Sequence, residues 1–326
     1  MKETKIKKQI FYGITLIGFA VSIIREAVLS KKTTVEYLAS MNTVADLVGR
    51  YGIINLIRVA MRAPKNLNFS DSGIQLFKNV YFPKVQKKYL STVIEFTNNC
   101  PYDCDGCYID SEQRKNDYFM PESLLRETIS SLQNHAFILI AGGEPIRKSS
   151  ADYLYNVLKD YPDQAFILVT TGVYISQHGV GDFGNLNNIV WSISINGMEN
   201  INDEFRFKGS HKHAIQAMRN IRKAQQYFLA TTTLSRKNAE DATSDEFVNM
   251  LSAEGVKEIK YLILRDPESE HQLSMREVEH YKEKTKKFNH LLFTTFTIHE
   301  ADGYKIIDPY GSIRLDRTGR DQLIPA

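Results

Sequence analysis

Cys100, Cys104 and Cys107 are the only cysteines in the 326-residue chain, and they fall in one short stretch spaced C-x₃-C-x₂-C, with the aromatic Tyr108 next in line. Three thiolates are too few to complete four-coordinate iron–sulfur or zinc ligation. Such a set can hold three corners of a [4Fe–4S] cluster and leave the fourth iron open, which a reaction needs if a substrate or cosubstrate must bind the metal. Zinc is the alternative. It would require a fourth ligand, and His135 or His178 could supply one, although nothing in the sequence positions either. The first expectation is a redox enzyme.

A second chemical string follows at Ala141, Gly142, Gly143, Glu144 and Pro145. Two glycines let a ligand approach the backbone closely, Glu144 offers an acceptor to an ammonium group, and Pro145 stiffens the exit. The elements that must position these residues are legible from residue 91 onward, where short apolar runs alternate with helical patterns. Strands are expected at 92–96, 137–141, 165–170, 189–195, 228–234 and 258–264. Helices are expected at about 121–133, 149–160, 211–226, 244–253 and 275–289, with capping boxes at Thr243 to Glu246 and Ser274 to Glu277. Strands alternating with helices argue for a parallel α/β sheet with right-handed crossovers, curled as a partial (β/α)6 TIM-like barrel. In such barrels the chemistry lies at the C-terminal ends of the strands. The cysteine loop leaves the end of the first strand and the glycine pair the end of the second.

Together these motifs resemble the radical S-adenosylmethionine (SAM) superfamily over roughly residues 91–290. The resemblance implies that Cys100, Cys104 and Cys107 hold a [4Fe–4S] cluster whose fourth iron is chelated by the amino and carboxylate groups of SAM. It implies further that Tyr108 lines the adenine site and that Gly142, Gly143 and Glu144 bind the methionine amino group. Ser194 and Asn196, before Gly197, resemble the family's S-x-D-G segment at the SAM ribose, with Asn in place of the common Asp. The stretch from Asn202 to Ser210 resembles an HDxxRGKGS segment, in which Arg206 could pair with the SAM carboxylate through its planar fork. Thr170-Thr171-Gly172 departs from the usual T-N-G, which weakens Thr171 as a ligand; Asn238 is a further weak candidate. The histidines receive no role, and Trp191 reads as core.

The resemblance also implies what is missing. Residues 307–315 resemble the hairpin that opens a cysteine-rich extension in peptide-modifying relatives, yet no cysteine follows. One cluster must suffice, and a cysteine cannot serve as hydrogen-atom donor; a tyrosine such as Tyr261 could. The segments LIAGGEP and WSISINGMENINDEFR resemble the branch that adds the 5′-deoxyadenosyl group to a hopanoid precursor. The expected substrate is therefore a lipid or other hydrophobic molecule, the alternatives being a ribosomally made peptide and a small nucleotide or sugar. A reducing donor such as flavodoxin or ferredoxin is implied, and no nucleic-acid partner is expected.

Composition bounds the setting. A hydrophobic fraction of 43% with 11% aromatic residues suits a globular core. The net charge of +3 divides unevenly: residues 1–90 carry 15 Lys/Arg against 5 Asp/Glu, and the remainder 26 against 33. An uncharged run from Gln9 to Ile24 sits between Lys5, Lys7 and Lys8 on one side and Lys31 and Lys32 on the other. It falls short of the roughly 20 apolar residues of a spanning helix. Residues 1–32 are thus expected to be a membrane anchor, an interfacial helix or an apolar helix packed on the body. Residues 33–90 form a helical and linker region, and 291–326 a short β extension. Clustered, unpaired cysteines without a leader cleavage site point to a reducing cytosol, with attachment to the cytoplasmic membrane face. Deleting residues 1–30 is expected to move the protein from the membrane pellet to the soluble fraction; a full chain that is already soluble removes the anchor.

Overall fold

The computed structural model describes residues 89–256, 258–264, 270–288, 293–297 and 306–314. The expectations for residues 1–32 and 33–88 lie outside the described residues. The elements in chain order are β1 (Tyr89–Thr97), α1 (Ser111–Arg114), α2 (Glu122–Ser131), β2 (His135–Gly142), α3 (Ala151–Leu158), β3 (Ala165–Thr170), α4 (Val173–His178), β4 (Ile189–Ser194), α5 (Glu199–Phe205), α6 (Ser210–Lys223), β5 (Tyr227–Leu234), α7 (Ala239–Ala242), α8 (Asp245–Glu254), β6 (Glu258–Ile263), α9 (Met275–Thr285), β7 (Phe293–Thr297), β8 (Ile306–Ile307) and β9 (Ile313–Arg314).

They build one sheet of order β7-β6-β5-β4-β3-β2-β1-β8-β9. Strands β1 to β7 pair in sequence and in parallel, β8 joins the free side of β1 in parallel, and β9 returns antiparallel to β8. The expected six strands are all present. The sheet continues past them through β7, which pairs with β6, so the parallel core runs beyond residue 290. The Thr-rich run of β7 reads as strand on its own, but only its partner decides which sheet it joins.

The two faces of the strands separate two apolar layers. Ile94, Phe96, Ile138, Ile140, Phe166, Leu168, Trp191 and Ile193 point toward the helices and pack with Leu125, Ile129, Leu154, Met218, Ile221, Phe247 and Leu251. The residues between them, Val93, Leu139 and Ala141, turn the other way and form a smaller cluster with Ile306 of β8, against which Ile167 and Val169 lie half-buried. Burial on both faces is why these strands read as nearly continuous apolar runs.

Side-chain caps set the starts of α1, α8 and α9. Ser274 and Glu277 form the expected capping box of α9. At α8 the cap lies one residue later than expected: Ser244 accepts from Phe247 N. Thr243 instead turns its hydroxyl back to Ala239 O at the end of α7 (2.6 Å), which leaves the next residue free to cap.

Trp191 is fully buried; its indole N–H donates to Gln226 Oε1 (2.6 Å), and its ring meets Phe183 edge-on. Trp191→Ala is expected to cost about 3–5 kcal/mol in denaturant unfolding, from the cavity and from the stranded amide. A loss below about 1 kcal/mol would show that this layer is not tightly packed.

Candidate active site

The site begins where β1 ends. Gly143 N donates to Thr97 O (2.7 Å) and Glu144 N to Asn99 O (3.0 Å), so the turn after β2 is bonded to the stem of the cysteine loop. A Cβ on Gly142 would lie 2.1 Å from Thr97 O, and one on Gly143 2.2 Å from Asn99 O. On the side where a Cβ would project, the glycine pair thus makes room for the chain's own backbone. Gly142, at φ +118°, also has a conformation that side chains disfavour.

From that stem the cysteine loop crosses the mouth of the sheet. Cys100 N and Asn99 Nδ2 both donate to Arg114 O (3.0 Å each). Tyr102 stacks on Phe207 with ring centroids 4.1 Å apart, and Asp105 N donates to Phe205 O (2.8 Å). Lys237 pairs with the Asp105 carboxylate, and a Cβ on Gly106 would come within 3.0 Å of a Leu264 methyl. Phe205, Lys237 and Leu264 stand after β4, β5 and β6, so one short loop is fastened to four strand ends. Cys100 and Cys104 are half-buried and Cys107 is exposed. Burial pushes the Cys100 thiol up to about 12, with the neighbouring Glu144 carboxylate adding in the same direction. Burial also raises Cys104, against the pull of the nearby Arg206 guanidinium.

Among the described residues no group of three or more His, Cys, Asp or Glu converges on a single metal ion. A cubane cluster would take one thiolate on each of three irons, and Cys100, Cys104 and Cys107 of the one loop supply three. The histidines of the zinc alternative are misplaced for it. His135 opens β2 opposite Tyr89, at the far end of the sheet from the cysteines, and His178 closes α4 against Tyr174.

Glu144 is buried, with 2% of its surface exposed. Its Oε1 accepts from Thr170 Oγ1 (2.7 Å) and Ile146 N (3.2 Å), and its Oε2 from Thr171 N (2.7 Å) and Thr171 Oγ1 (2.6 Å). Burial raises the carboxyl and these donors oppose the rise. Thr171, which the sequence treats as a weak candidate, is therefore a principal partner of Glu144. Tyr108 is half-buried beside the same turn, its hydroxyl 3.5 Å from Gly142 O.

On the opposite side of the mouth, Asn196 Oδ1 accepts from Arg206 Nη2 (3.1 Å) and Thr233 N (3.3 Å). Asn196 Nδ2 and Arg206 Nε are buried without a hydrogen-bond partner among the described residues. Two orphaned donors beside the half-exposed Ser194 fit a ligand that brings oxygen acceptors, as a ribose and a carboxylate do. The residues present therefore fit both the cluster and SAM. The loop that carries Arg206 is rigid. Asn202 Oδ1 accepts from Asn196 N (2.8 Å), and Asp203 accepts from Gly209 N, Ser210 Oγ and His211 N, bonds that outweigh its burial and hold its carboxyl low.

Two expectations change. Asn238 is 1% exposed and fully engaged, accepting from Ser235 N and donating to the carbonyls of Asn196 and Thr233 (2.8 Å each), so it braces Asn196 rather than a ligand. Tyr261 belongs to the helix-facing layer, with its hydroxyl on Ala242 O (2.9 Å), and it cannot donate a hydrogen atom into the mouth. The histidines, given no role from the sequence, include two that are engaged in the first turn of α6: His213 Nδ1 bonds Ser176 Oγ (2.7 Å), and burial lowers His211. The signal for Tyr102 was present, an aromatic inside the cysteine motif, but its stacking partner is distant in sequence.

Residues 94–248 match the family model described as the radical SAM superfamily. An uncharacterized protein of Methanocaldococcus jannaschii is 26% identical over 206 residues, covering 60% of this chain and 70% of that protein. In fold the chain is similar to SuiB of Streptococcus suis bound to S-adenosylmethionine, with a TM-score of 0.60 at 11% identity over 87% of this chain and 75% of that one. SuiB bound to its precursor peptide SuiA gives 0.60 at 10% identity over 88% and 75%. The anSMEcpe structure with bound AdoMet and the Cp18Cys peptide gives 0.53 at 13% identity over 69% and 73%. At these identities the likeness is one of fold.

Gly143→Ala is expected to part the turn from the cysteine loop, because its Cβ meets backbone rather than a movable side chain. Iron uptake should fall several-fold and the melting temperature should drop. Gly184→Ala, whose Cβ meets only a Val180 methyl at 3.3 Å, should leave both nearly unchanged. Equal behaviour of the two variants would refute the joint.

Proposed function

Residues 94–248 are a radical SAM domain, and from that premise we propose that the enzyme holds one [4Fe–4S] cluster on Cys100, Cys104 and Cys107 and cleaves SAM reductively to act on a peptide. The observation that carries the reading is the cysteine loop itself, bonded to the turn at Gly143 and Glu144 and fastened across the C-terminal mouth of a parallel sheet. When bound, the reduced cluster and SAM supply a 5′-deoxyadenosyl radical able to abstract hydrogen.

The chain's own groups prepare that place. The cysteine loop is held by backbone bonds to Arg114 and Phe205, so the thiols are arrayed by the fold. Asn196 and Arg206 supply donors for ligand oxygens, and Asn238 and Asn202 fix the strand end that carries Asn196. Tyr108 offers a ring beside Gly142. Half-buried Ile167 and Val169 pack on the inward cluster of Val93, Leu139, Ala141 and Ile306, apolar surface that limits water around a reactive species. No further cysteine is present to hold a second cluster.

A peptide substrate draws support from SuiB and anSMEcpe, whose fold the chain shares and which were solved with peptides. A lipid substrate, including a hopanoid-type precursor adenosylated at the cytoplasmic face of the membrane, rests on the basic, apolar segment at residues 9–29 and on the segment resemblances. Among the described residues no helix is long and apolar enough to cross a membrane. A flavodoxin or ferredoxin as reductant belongs to the same proposal.

Anaerobically reconstituted protein given SAM and dithionite is expected to release 5′-deoxyadenosine or an adduct of it, and Cys104→Ala to lose both iron and turnover. Unchanged iron in that variant would sink the ligand assignment. With cell extracts as substrate, the mass change should appear in the peptide fraction; a change confined to the lipid fraction would replace the peptide with the lipid.

A further inference from the structure

We propose that Thr171 Oγ1, and not the Glu144 carboxylate, receives the methionine ammonium group of SAM, with Glu144 acting behind it as a positioning residue. The inference rests on the radical SAM reading above and deepens it.

The first argument is one of capacity. A carboxylate has about four acceptor positions. Those of Glu144 are taken by Thr170 Oγ1, Ile146 N, Thr171 N and Thr171 Oγ1, at 2.6 to 3.2 Å. With 2% of its surface exposed, Glu144 has no free face for an ammonium group to reach.

The second argument is one of direction. The single hydroxyl proton of Thr171 is committed to Glu144 Oε2, so toward any other group its oxygen can only accept. The backbone N–H of the same residue binds the same carboxylate oxygen, which fixes the rotamer. The oxygen's lone pairs are what it offers to a ligand. A hydroxyl that donates to a buried carboxylate is polarised by it and becomes a stronger acceptor. The negative charge of Glu144 is thereby presented one bond further out.

The third argument is one of place. Ile167 and Val169 face inward from β3, and Thr171, two residues on, continues that register at the strand's C-terminal end. It stands between the turn at Gly143 and the cysteine-loop residue Tyr102. This also accounts for Thr where the related motif has Asn, since the position here must donate to the carboxylate and accept from the ligand through a single atom.

The test uses the full chain with its cluster reconstituted, and reads SAM affinity by equilibrium dialysis together with the change that SAM causes in the spectrum of the reduced cluster. Thr171→Val is expected to keep its iron but bind SAM about tenfold or more weakly, the loss proper to a charge-assisted hydrogen bond. For a SAM analogue lacking the amino group, the same substitution should change affinity less than about twofold. Thr171→Ser, which keeps the hydroxyl, must match the natural chain for both ligands within about threefold. A Val variant that binds SAM as the natural chain does overturns the proposal, as does an equal loss for both ligands. A loss in the Ser variant overturns it even where the Val chain does not fold. A natural chain that takes up iron and yet binds no SAM overturns the functional reading itself.

Discussion

The arrangement of the mouth depends on two backbone hydrogen bonds, Gly143 N to Thr97 O and Glu144 N to Asn99 O. They splice the exit of β2 onto the exit of β1 at a separation that only glycine tolerates. Cys100 follows Asn99 directly, and Glu144 hangs from the other side of the splice. The backbone that carries the first thiol and the buried carboxylate is therefore placed by one joint. Such a joint cannot be loosened gradually, because what a side chain at Gly142 or Gly143 would meet is peptide backbone.

Around the joint the electrostatics are unfavourable for an empty pocket and favourable for an occupied one. Burial raises the Cys100 and Cys104 thiols, and the Glu144 carboxylate adds to the rise in both. Hydroxyl and amide dipoles from Thr170 and Thr171 offset the carboxylate, and Arg206 leans on Cys104. Iron held by these thiols would supply the compensating positive charge and favour the thiolate form. The opposite wall is complementary: Asn196 and Arg206 present buried donors lacking partners, held by Asn202, Asn238 and Thr233. Acceptors after β2 and β3 and donors after β4 lie at the same end of adjacent strands, an arrangement suited to an amphoteric ligand such as an amino acid.

The strands and the cysteine motif were legible in the sequence because both are local. Apolar runs such as Phe137–Ala141 and Ile189–Ile195 are buried on both faces, and burial leaves the same mark whichever strand is neighbour. What escaped sequence reasoning was set by contacts between distant residues. Tyr261 and Asn238 have the chemistry of site residues. Tyr261 faces the helix layer by strand parity, and Asn238 is consumed by the carbonyls it braces. Thr243 looks like a cap until its hydroxyl is seen to turn back to Ala239.

By itself the sequence determined the spacing of the three cysteines, the alternation of strands and helices, and the order in which the cysteine loop and the glycine turn leave neighbouring strand ends. Those follow from residue type, spacing and period, which the chain carries wherever it goes. Only the tertiary structure decided what the glycines accommodate, which donors bind the Glu144 carboxylate, and how a loop after β1 comes to be fastened beyond β4, β5 and β6. These are matters of lone pairs and atomic separations between residues tens of positions apart, and the curl of the sheet brings them together.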